Sequence, residues 1–141
     1  MLHPAAFNDH DRIAALLQAA RLPVPDHRDQ PVHMLAAYHG TGLTGCIGHE
    51  LYGEHALLRS LAVGADQRGR GVGSQLVAAL LDQLRALGVT RVFLLTTDAS
   101  GFFARHGFMV IPRTQVPAAV QASFQFGAGC CSSATCMQRA L

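Results

Sequence analysis

Hydrophobic residues near the start of the chain repeat at the spacing of an amphipathic helix. The apolar face of this predicted helix consists of Ile13, Leu16, Leu17 and Ala20. Asn8, Asp9 and Asp11 lie at its start, where their side chains supply capping oxygens and negative charge for the first turn. Pro23 and Pro25 end the helix, because proline interrupts helical hydrogen bonding.

The pattern then changes to short apolar runs that are separated by glycine. Runs over residues 32–39, 43–52 and 57–63 predict three strands. Gly40 and Gly53 mark tight turns between these runs. Because tight turns join antiparallel neighbours, the three strands are expected to form an antiparallel meander.

The most regular helical pattern of the chain follows a glycine-rich segment. Its apolar positions are Val72, Leu76, Val77, Leu80, Leu81, Leu84 and Leu87. Gly88 is expected to end this helix as a C-cap. Residues 91–96 are apolar and rich in β-branched side chains, which predicts a strand that is buried on both faces. Thr97 and Asp98 can cap a short helix that runs to Arg105.

The last third of the chain contains further strand signals. His106 and Gly107 form a turn into an apolar run at residues 108–111, and residues 134–141 predict a closing strand. Residues 117–126 are either extended or partly helical. Helices therefore cover a mixed, mainly antiparallel sheet, and the absence of regular βαβ repeats disfavours a doubly wound sheet.

The composition narrows the class of protein. Half of the 141 residues are apolar and 14% are charged, which excludes a disordered segment and fits one globular domain over residues 1–141. No apolar run reaches the roughly 20 residues that span a bilayer, and residues 1–6 do not resemble a secretory signal. We therefore expect a cytoplasmic protein without a membrane partner. The net charge of +2 excludes general nucleic-acid binding, which requires a basic stripe.

The chain contains four cysteines, Cys46, Cys130, Cys131 and Cys136. Their spacing lacks a C-x-x-C pair and a matching pair of histidines, so no metal site of the zinc type is predicted. Trivalent arsenic prefers soft thiolates, and three of these cysteines lie within seven residues. A thiol site for arsenic is therefore one interpretation, and reduced thiols that pack as small core residues are the other.

A glycine-rich loop connects a predicted strand to the long helix. Gly69, Gly71 and Gly73 alternate there and let the backbone approach a ligand without a Cβ in the way. Amide groups at a helix N-terminus attract anions, and Arg68 and Arg70 add positive charge. This arrangement favours a diphosphate as the ligand. The chain has no lysine, which excludes a Walker loop, and the glycine spacing differs from that of a Rossmann loop.

Two segments of the sequence resemble the landmarks of a known superfamily. A Leu-Ala-Val triplet at residues 61–63, followed by Arg-x-x-Gly-x-Gly at residues 68–73, resembles the coenzyme A signature of the GNAT N-acetyltransferases. Residues 98–108 place an aromatic pair before a basic residue and Gly-Phe, as in the second landmark of that superfamily. The resemblance extends over residues 8–112.

The tail resembles a narrower subgroup of the superfamily that is found with arsenic-resistance genes. The residues that carry this resemblance are Pro117, Phe124, Phe126, Cys131, Ser133, Ala134 and Met137. It implies that the acceptor is a small molecule with an amine, such as an organoarsenical or an amino-acid analogue. Acetylation of that amine would then serve detoxification.

The superfamily resemblance implies an α/β (α+β) fold whose sheet separates at its centre, with helices on both faces. The pantetheine arm of acetyl-CoA would lie in this gap and pair with the backbone of Leu61 and Val63. The implied cofactor-binding residues are Leu61, Ala62, Val63, Arg68, Gly69, Arg70, Gly71, Val72, Gly73, Ser74, Phe103 and Arg105. The acceptor amine would attack the thioester directly, and a backbone amide would stabilise the developing oxyanion.

Candidate acids and bases are few. Glu50 is the preferred general base, because it lies in the strand before the expected cofactor strand. The alternatives are His49, Glu54 and His55. The general acid of the superfamily is usually a tyrosine at the second aromatic position, where this chain has Phe103. Ser100, Tyr52 or water could protonate the coenzyme A thiolate instead.

Two arginines are candidates for contact with the acceptor. Arg59 precedes Leu61 by two positions, which in a regular strand places both side chains on one face. From there Arg59 could meet a carboxylate of the acceptor. Arg113 could do the same from the loop after residues 108–111, and a packing or surface role is the alternative for both arginines.

Two other functions fit the same residues. The absence of a tyrosine at Phe103 leaves open a catalytically silent acyl-CoA-binding module. The tail cysteines leave open a thiol-based arsenic-binding protein on the same fold. The apolar tail strand is compatible with a homodimer.

Overall fold

The computed structural model describes residues 2–4, 9–25, 30–129 and 134–141. The strands are β1 (Leu2–Pro4), β2 (His33–His39), β3 (Gly42–Tyr52), β4 (His55–Val63), β5 (Arg91–Thr96), β6 (Met109–Val110) and β7 (Thr135–Ala140). The helices are α1 (His10–Ala19), α2 (Val72–Ala86), α3 (Ser100–Arg105) and α4 (Ala118–Gln121), and a π-helical turn, Gln125–Gly129, follows α4. Among the described residues, no helix has the length and apolar character needed to cross a membrane.

The strands form one sheet in the order β1-β2-β3-β4-β5-β7-β6. Every neighbouring pair is antiparallel except β4 and β5, which are parallel. The predicted meander and the predicted mixed, mainly antiparallel fold class are therefore confirmed. The tail strand β7 lies inside the sheet, where it pairs with β5 along its length and with β6 at Met137 and Gln138. The homodimer, for which the apolar tail strand was the argument, stays a prediction.

Helices pack on both faces of the sheet. The apolar stripe of α2, together with Phe103 of α3, packs against Leu58 on what we call the α2 face. On the α1 face, α1 packs against Cys46 and Ala62, and α4 packs near Leu57. Leu57 and Leu58 are consecutive in β4, so their two clusters lie on opposite sides of the sheet. The sheet is thus buried from both sides near β4.

A bulge interrupts β4 at Ser60. The pairing of β4 with β3 shifts by one residue between Arg59 and Ala62. Ser60 has a φ of 62°, in the left-handed region that non-glycine residues rarely adopt. Arg59 stays on the α1 face, two positions after Leu57, whereas Leu61 packs against the α2-face cluster. The expectation that Arg59 and Leu61 share one face is therefore wrong, because the extra residue reverses the alternation.

The first helix is held by its neighbours rather than by a side-chain cap. Asp9 is the N-cap of α1, but its carboxylate makes no capping bond. It accepts hydrogen bonds from Tyr38 at 2.5 Å and from Arg12, and these bonds lower the pKa of Asp9. The predicted capping role of Asp9 is therefore wrong, and Asn8 lies outside the described residues. The pattern also does not predict β1, in which Leu2 is followed by His3 and Pro4.

The ends of the other helices agree with the sequence in part. α2 ends before Gly88, which has a φ of 84° and donates its amide to Arg85, as the pattern predicts. The N-cap of α3 is Ala99, so the predicted capping by Thr97 and Asp98 is wrong. Thr96 Oγ1 instead accepts a hydrogen bond from the Ala99 amide at 3.1 Å. Residues 117–126 are partly helical, which is one of the two predicted alternatives.

His49 makes the stability of the fold sensitive to acid. Its side chain is buried on the α2 face, and its ring stacks on His33 with centroids 5.1 Å apart. Burial, and then the charge of His33, lower the pKa of His49 from 6.5 to about 4. The unfolded chain therefore binds this proton first as the pH falls, so the contribution of His49 to stability is lost between pH 6.5 and 4.

The free energy of unfolding of the parent protein should fall between pH 7 and pH 4.5. We expect this fall to be roughly 2 kcal/mol larger than the fall in His49→Leu over the same range. Urea titrations at both pH values measure the difference. His39→Gln, at an exposed histidine, is the control and should keep the parent pH dependence. Equal pH slopes for the parent and His49→Leu would contradict the expectation.

Candidate active site

A cleft opens where β4 and β5 separate. The parallel pairing joins His55 to Arg91, Ala56 to Val92 and Leu57 to Phe93. Beyond these pairs the two strands diverge, and a cleft of about 750 Å³ lies between residues 58–63 and residues 94–97. Backbone groups of both strands face this space without pairing to each other, so a ligand placed between them can bond to main-chain atoms.

The N-terminus of α2 lines one end of the cleft. Gly69 and Gly71 have φ values of 83° and 77°, and Gly71 is the N-cap of the helix. No atom outside the neighbouring residues lies within 4 Å of the position that a Cβ would take at either glycine. The first amides of α2 have no partner within the helix, and the helix dipole adds partial positive charge. This end of the cleft is therefore suited to an anion.

The C-terminal end of α3 braces this loop from the side. His106 Nε2 lies 3.1 Å from Ser74 Oγ, and the Phe102 ring packs between His106 and Gly73. Arg139 of β7 donates to the His106 carbonyl at 2.5 Å. Burial, and then the charges of Arg139 and Arg105, lower the pKa of His106. A neutral imidazole thus contacts the start of α2 near pH 7.

The cleft passes through the sheet. Phe102 and Phe103 line it from the α2 face, whereas residues 20–23, Arg59 and Gln125 line it from the α1 face. Two reactants can therefore enter from opposite faces and meet between β4 and β5. Holding two reactants in this way removes much of the entropy cost of their reaction.

The charge of the cleft is mainly positive. Its arginines are Arg21, Arg59, Arg68 and Arg105. Asp98 is the single carboxylate that lines the cleft within the described part of the chain. A concave surface with this excess of cations attracts anionic ligands.

The structure brings most of the predicted cofactor-binding residues to this cleft. The lining includes Leu61, Ala62, Val63, Arg68, Gly69, Gly71, Val72, Gly73, Ser74, Phe103 and Arg105. Arg70 is the exception, since it is exposed and does not line the cleft. One short sequence motif thus supplies a continuous wall, because the loop and the helix start are adjacent to the separating strand.

Glu50 lies beneath the cleft rather than in it. Its side chain has no exposed surface, and Arg59 Nη1 donates to its Oε2 at 2.8 Å. Tyr52 donates a short hydrogen bond to Glu50 Oε1. Both carboxylate oxygens are therefore engaged in the α1-face core, which argues against Glu50 as the group that takes a proton directly from a substrate. His49 lies on the opposite face of β3, as predicted.

The candidate side-chain acids also do not line the cleft. Phe103 lines the cleft, and its ring makes edge contacts with the rings of Phe102 and Phe108, with centroids 5.2 and 5.7 Å apart. The wall of the cleft at this position is therefore a hydrocarbon ring without a hydroxyl group. Tyr52 bonds to Glu50, and Ser100 is exposed at the start of α3. Neither hydroxyl lines the cleft, which leaves water as the remaining candidate.

The other predicted residues lie beside the site. Arg113 does not line the cleft, but its Nη2 donates at 3.1 Å to the carbonyl of Ala134, which does. Cys136 is buried, and burial raises its thiol pKa, which disfavours a thiolate ligand there. Cys130 and Cys131 lie outside the described residues, so the predicted arsenic site stays a prediction.

Sequence reasoning missed several residues of the cleft. Arg21, Thr96 and Gln125 line it, and the Gln125 Oε1 atom is buried with no hydrogen-bond partner among the described residues. Thr96 could have been found from its place at the end of a buried strand. Nothing local identifies Gln125 or Arg21, because the chain brings them to the cleft only through the packing of α1 and of the segment after α4.

The model of the acetyltransferase (GNAT) family matches residues 3–108. A stretch of 72 residues is 42% identical to the amino-acid acetyltransferase of Mycobacterium tuberculosis and covers 51% of this chain and 41% of that protein. A stretch of 81 residues is 30% identical to an amino-acid acetyltransferase of Neisseria meningitidis and covers 56% of this chain and 19% of that protein. The chain thus matches less than half the length of these relatives.

Solved structures share the fold over the whole chain. N-acetylglutamate synthase from Neisseria gonorrhoeae, complexed with coenzyme A and N-acetyl-glutamate, has a TM-score of 0.83 at 21% identity; the match covers all of this chain and 35% of that one. The protein Rv2747 from Mycobacterium tuberculosis, in complex with CoA and NLQ, has a TM-score of 0.83 at 22% identity; that match covers 100% and 99% of the two chains. At such identities the likeness shows the fold.

The sequence landmarks, the separated strands and the family match agree. GNAT enzymes use acetyl-CoA as their cosubstrate, so the predicted enzyme class and cosubstrate are confirmed at the level of the family. The family match spans more than half of the described sequence and includes both landmarks. The chain therefore belongs to the acetyltransferase (GNAT) family.

Proposed function

We propose that this protein transfers the acetyl group of acetyl-CoA to the amine of an amino acid or of a close amino-acid analogue. The observation that carries the proposal is the pair Arg59 and Gln125, which line the α1-face side of the cleft. Arg59 is a buried cation, and Gln125 Oε1 is a buried acceptor atom that no described residue satisfies. A carboxylate and an amine on one small molecule complement these two groups.

The cofactor enters from the α2 face in this proposal. The amides of residues 69–74 bind the pyrophosphate, and Arg68 and Arg105, which line the cleft, add charge to the outer phosphates. The pantetheine arm lies between β4 and β5 and bonds to the backbone of Leu61 and Val63. Phe103 forms part of the apolar wall along this arm.

The acceptor binds on the α1 face, opposite the cofactor. Its carboxylate contacts the Arg59 guanidinium, and its amine donates to Gln125 Oε1 before it attacks the thioester. Arg113 supports this end through its bond to the Ala134 carbonyl. Glu50 acts as the buried counter-ion of Arg59, so that the guanidinium is held in place and its charge is compensated.

Proton transfer then depends on water. No glutamate, histidine or tyrosine lines the cleft within the described residues, and Asp98 is exposed at its rim. The ammonium form of the acceptor therefore loses one proton to solvent, and the neutral amine attacks the thioester carbonyl. As the C–S bond breaks, the nitrogen gives up a second proton to water, and water protonates the coenzyme A thiolate. Proximity and orientation supply most of the acceleration in this scheme.

The relatives support the class of acceptor. The two curated relatives described above are named amino-acid acetyltransferases, and one similar structure contains N-acetyl-glutamate beside coenzyme A. The tail resemblance to the arsenic-resistance subgroup supports a narrower proposal, in which the acceptor is an amino-acid analogue that carries arsenic in its side chain. The carboxylate and amine of such an analogue would use the same two groups.

Gly71→Glu should abolish measurable acetyl-CoA binding, because it adds bulk and a negative charge where the pyrophosphate lies. Gly53→Glu is the matched control, since Gly53 has a similar φ of 65° and equally open surroundings but lies in the turn between β3 and β4. Isothermal titration calorimetry measures both affinities. We expect at least a 100-fold loss, or about 2.7 kcal/mol, for Gly71→Glu and none for Gly53→Glu. Equal affinities would remove the loop from the cofactor site.

Acetyl transfer should require the acceptor carboxylate. We would incubate the protein with acetyl-CoA and an amino acid, its α-carboxamide or the amine without the carboxylate, and quantify the acetylated product by mass spectrometry. Each compound that lacks the carboxylate should show kcat/KM at least 10-fold lower, or about 1.4 kcal/mol. An arsenic-bearing amino-acid analogue in the same panel tests the narrower proposal.

Equal turnover of the compounds without a carboxylate would contradict the proposed acceptor class. Binding of acetyl-CoA with no turnover of any amine would instead favour the silent acyl-CoA-binding module. Gln125→Leu should raise KM for the amino acid while the acetyl-CoA affinity stays at its parent value, because Gln125 lies on the acceptor side of the sheet. An unchanged KM would remove Gln125 from the acceptor site.

A further inference from the structure

The bulge in β4 depends on a conformation that its residue does not favour. Ser60 is in the left-handed region, with a φ of 62°, and its side chain and backbone are buried. Glycine would adopt this φ readily, whereas serine does so only where the surroundings impose it. The contacts around Ser60 must therefore hold the bulge in place.

A chain of polar contacts runs from β3 to the bulge. Tyr52 donates to Glu50, Arg59 Nη1 donates to Glu50 at 2.8 Å, and Arg59 Nε donates to Ser60 Oγ at 3.1 Å. Arg59 and Glu50 are 4% and 0% exposed, so these bonds are shielded from water. The single guanidinium thus connects a fixed carboxylate on the neighbouring strand to the strained residue.

A second contact holds Ser60 from the backbone side. Cys46 Sγ donates to the Ser60 carbonyl at 3.4 Å. Burial raises the pKa of the Cys46 thiol to about 12, which keeps it protonated and able to donate. Arg59 therefore holds the side chain of Ser60, and Cys46 holds its carbonyl group.

We infer that Glu50 and Arg59 are positioning residues that hold Ser60 in its left-handed conformation and thereby set the geometry of the cofactor strand. The bulge rotates residues 61–63 relative to Arg59, so that Leu61 packs toward the α2 face, and these residues lie beyond Leu57, where the pairing of β4 with β5 ends. Without these contacts to Ser60, residues 60–63 would sample other conformations. Only a fraction of the molecules would then have the backbone geometry that binds acetyl-CoA. The apparent affinity for acetyl-CoA falls in proportion to that fraction.

This inference rests on the proposed function only in that the cleft binds acetyl-CoA. It gives Glu50 a task that its burial allows, because the carboxylate acts through Arg59 and does not touch the substrate.

The test first removes the contacts that hold Ser60 and then replaces Ser60 with a residue that does not need them. Glu50→Gln with Arg59→Met removes both charges together, which avoids leaving a buried charge without a partner. We expect this double variant to bind acetyl-CoA about 10-fold more weakly by calorimetry, as the competent fraction falls to about a tenth. Adding Ser60→Gly should restore the affinity to within about threefold of the parent, because glycine holds this φ without support.

Ser60→Gly alone is the control, and it should bind acetyl-CoA as the parent does. Backbone NMR shifts of residues 59–63 report the conformation of the bulge without any ligand, and they should move in the double variant and return in the triple variant. If the parent binds no acetyl-CoA, the proposed function fails while the NMR shifts still test the contacts that hold Ser60. Parent-like affinity and shifts in the double variant, or no recovery in a folded triple variant, would overturn the inference.

Discussion

The parting of β4 from β5 is the constraint on which the rest of this structure depends. The two strands share only three residue pairs, and beyond them their backbone groups face a cleft instead of each other. Such an opening at the centre of a sheet is costly unless a ligand or water satisfies those groups. It is also what lets one cleft reach both faces, so that a cofactor and an acceptor can approach each other without competing for space.

The elements around the opening divide the chemistry between the two faces. On the α2 face, the N-terminus of α2 offers unpaired amides and a favourable dipole, and the apolar side chains of α3 form a wall. On the α1 face, the polar groups are few and buried, and the chain from Tyr52 through Glu50 to Arg59 is the most prominent of them. A buried ion pair contributes little stability by itself, so its value lies in where it holds the guanidinium.

The elements predicted correctly are those whose signals are local. The stripe of α2 and its end at Gly88 follow from helical periodicity and from glycine's tolerance of positive φ. The conformation of the loop at residues 67–74 likewise follows from the spacing of its own glycines. The bulge at Ser60 was not predictable, because serine gives no local sign of a left-handed conformation and the contacts around it depend on Glu50 and Cys46 of the neighbouring strand β3. The bond between Tyr38 and Asp9 was not predictable for a similar reason, since Tyr38 lies 29 residues away.

The sequence by itself determined the class of fold, the family and the loop suited to a diphosphate, since periodicity and glycine spacing act over a few residues. Only the tertiary structure decided which side chains reach the cleft. It buried Glu50 against Arg59, set Arg59 and Leu61 on opposite faces, and brought Gln125 from beyond α4 to the α1-face wall. These outcomes depend on strand register and on contacts between distant segments, and a one-residue shift in register moves a side chain to the other face of a sheet.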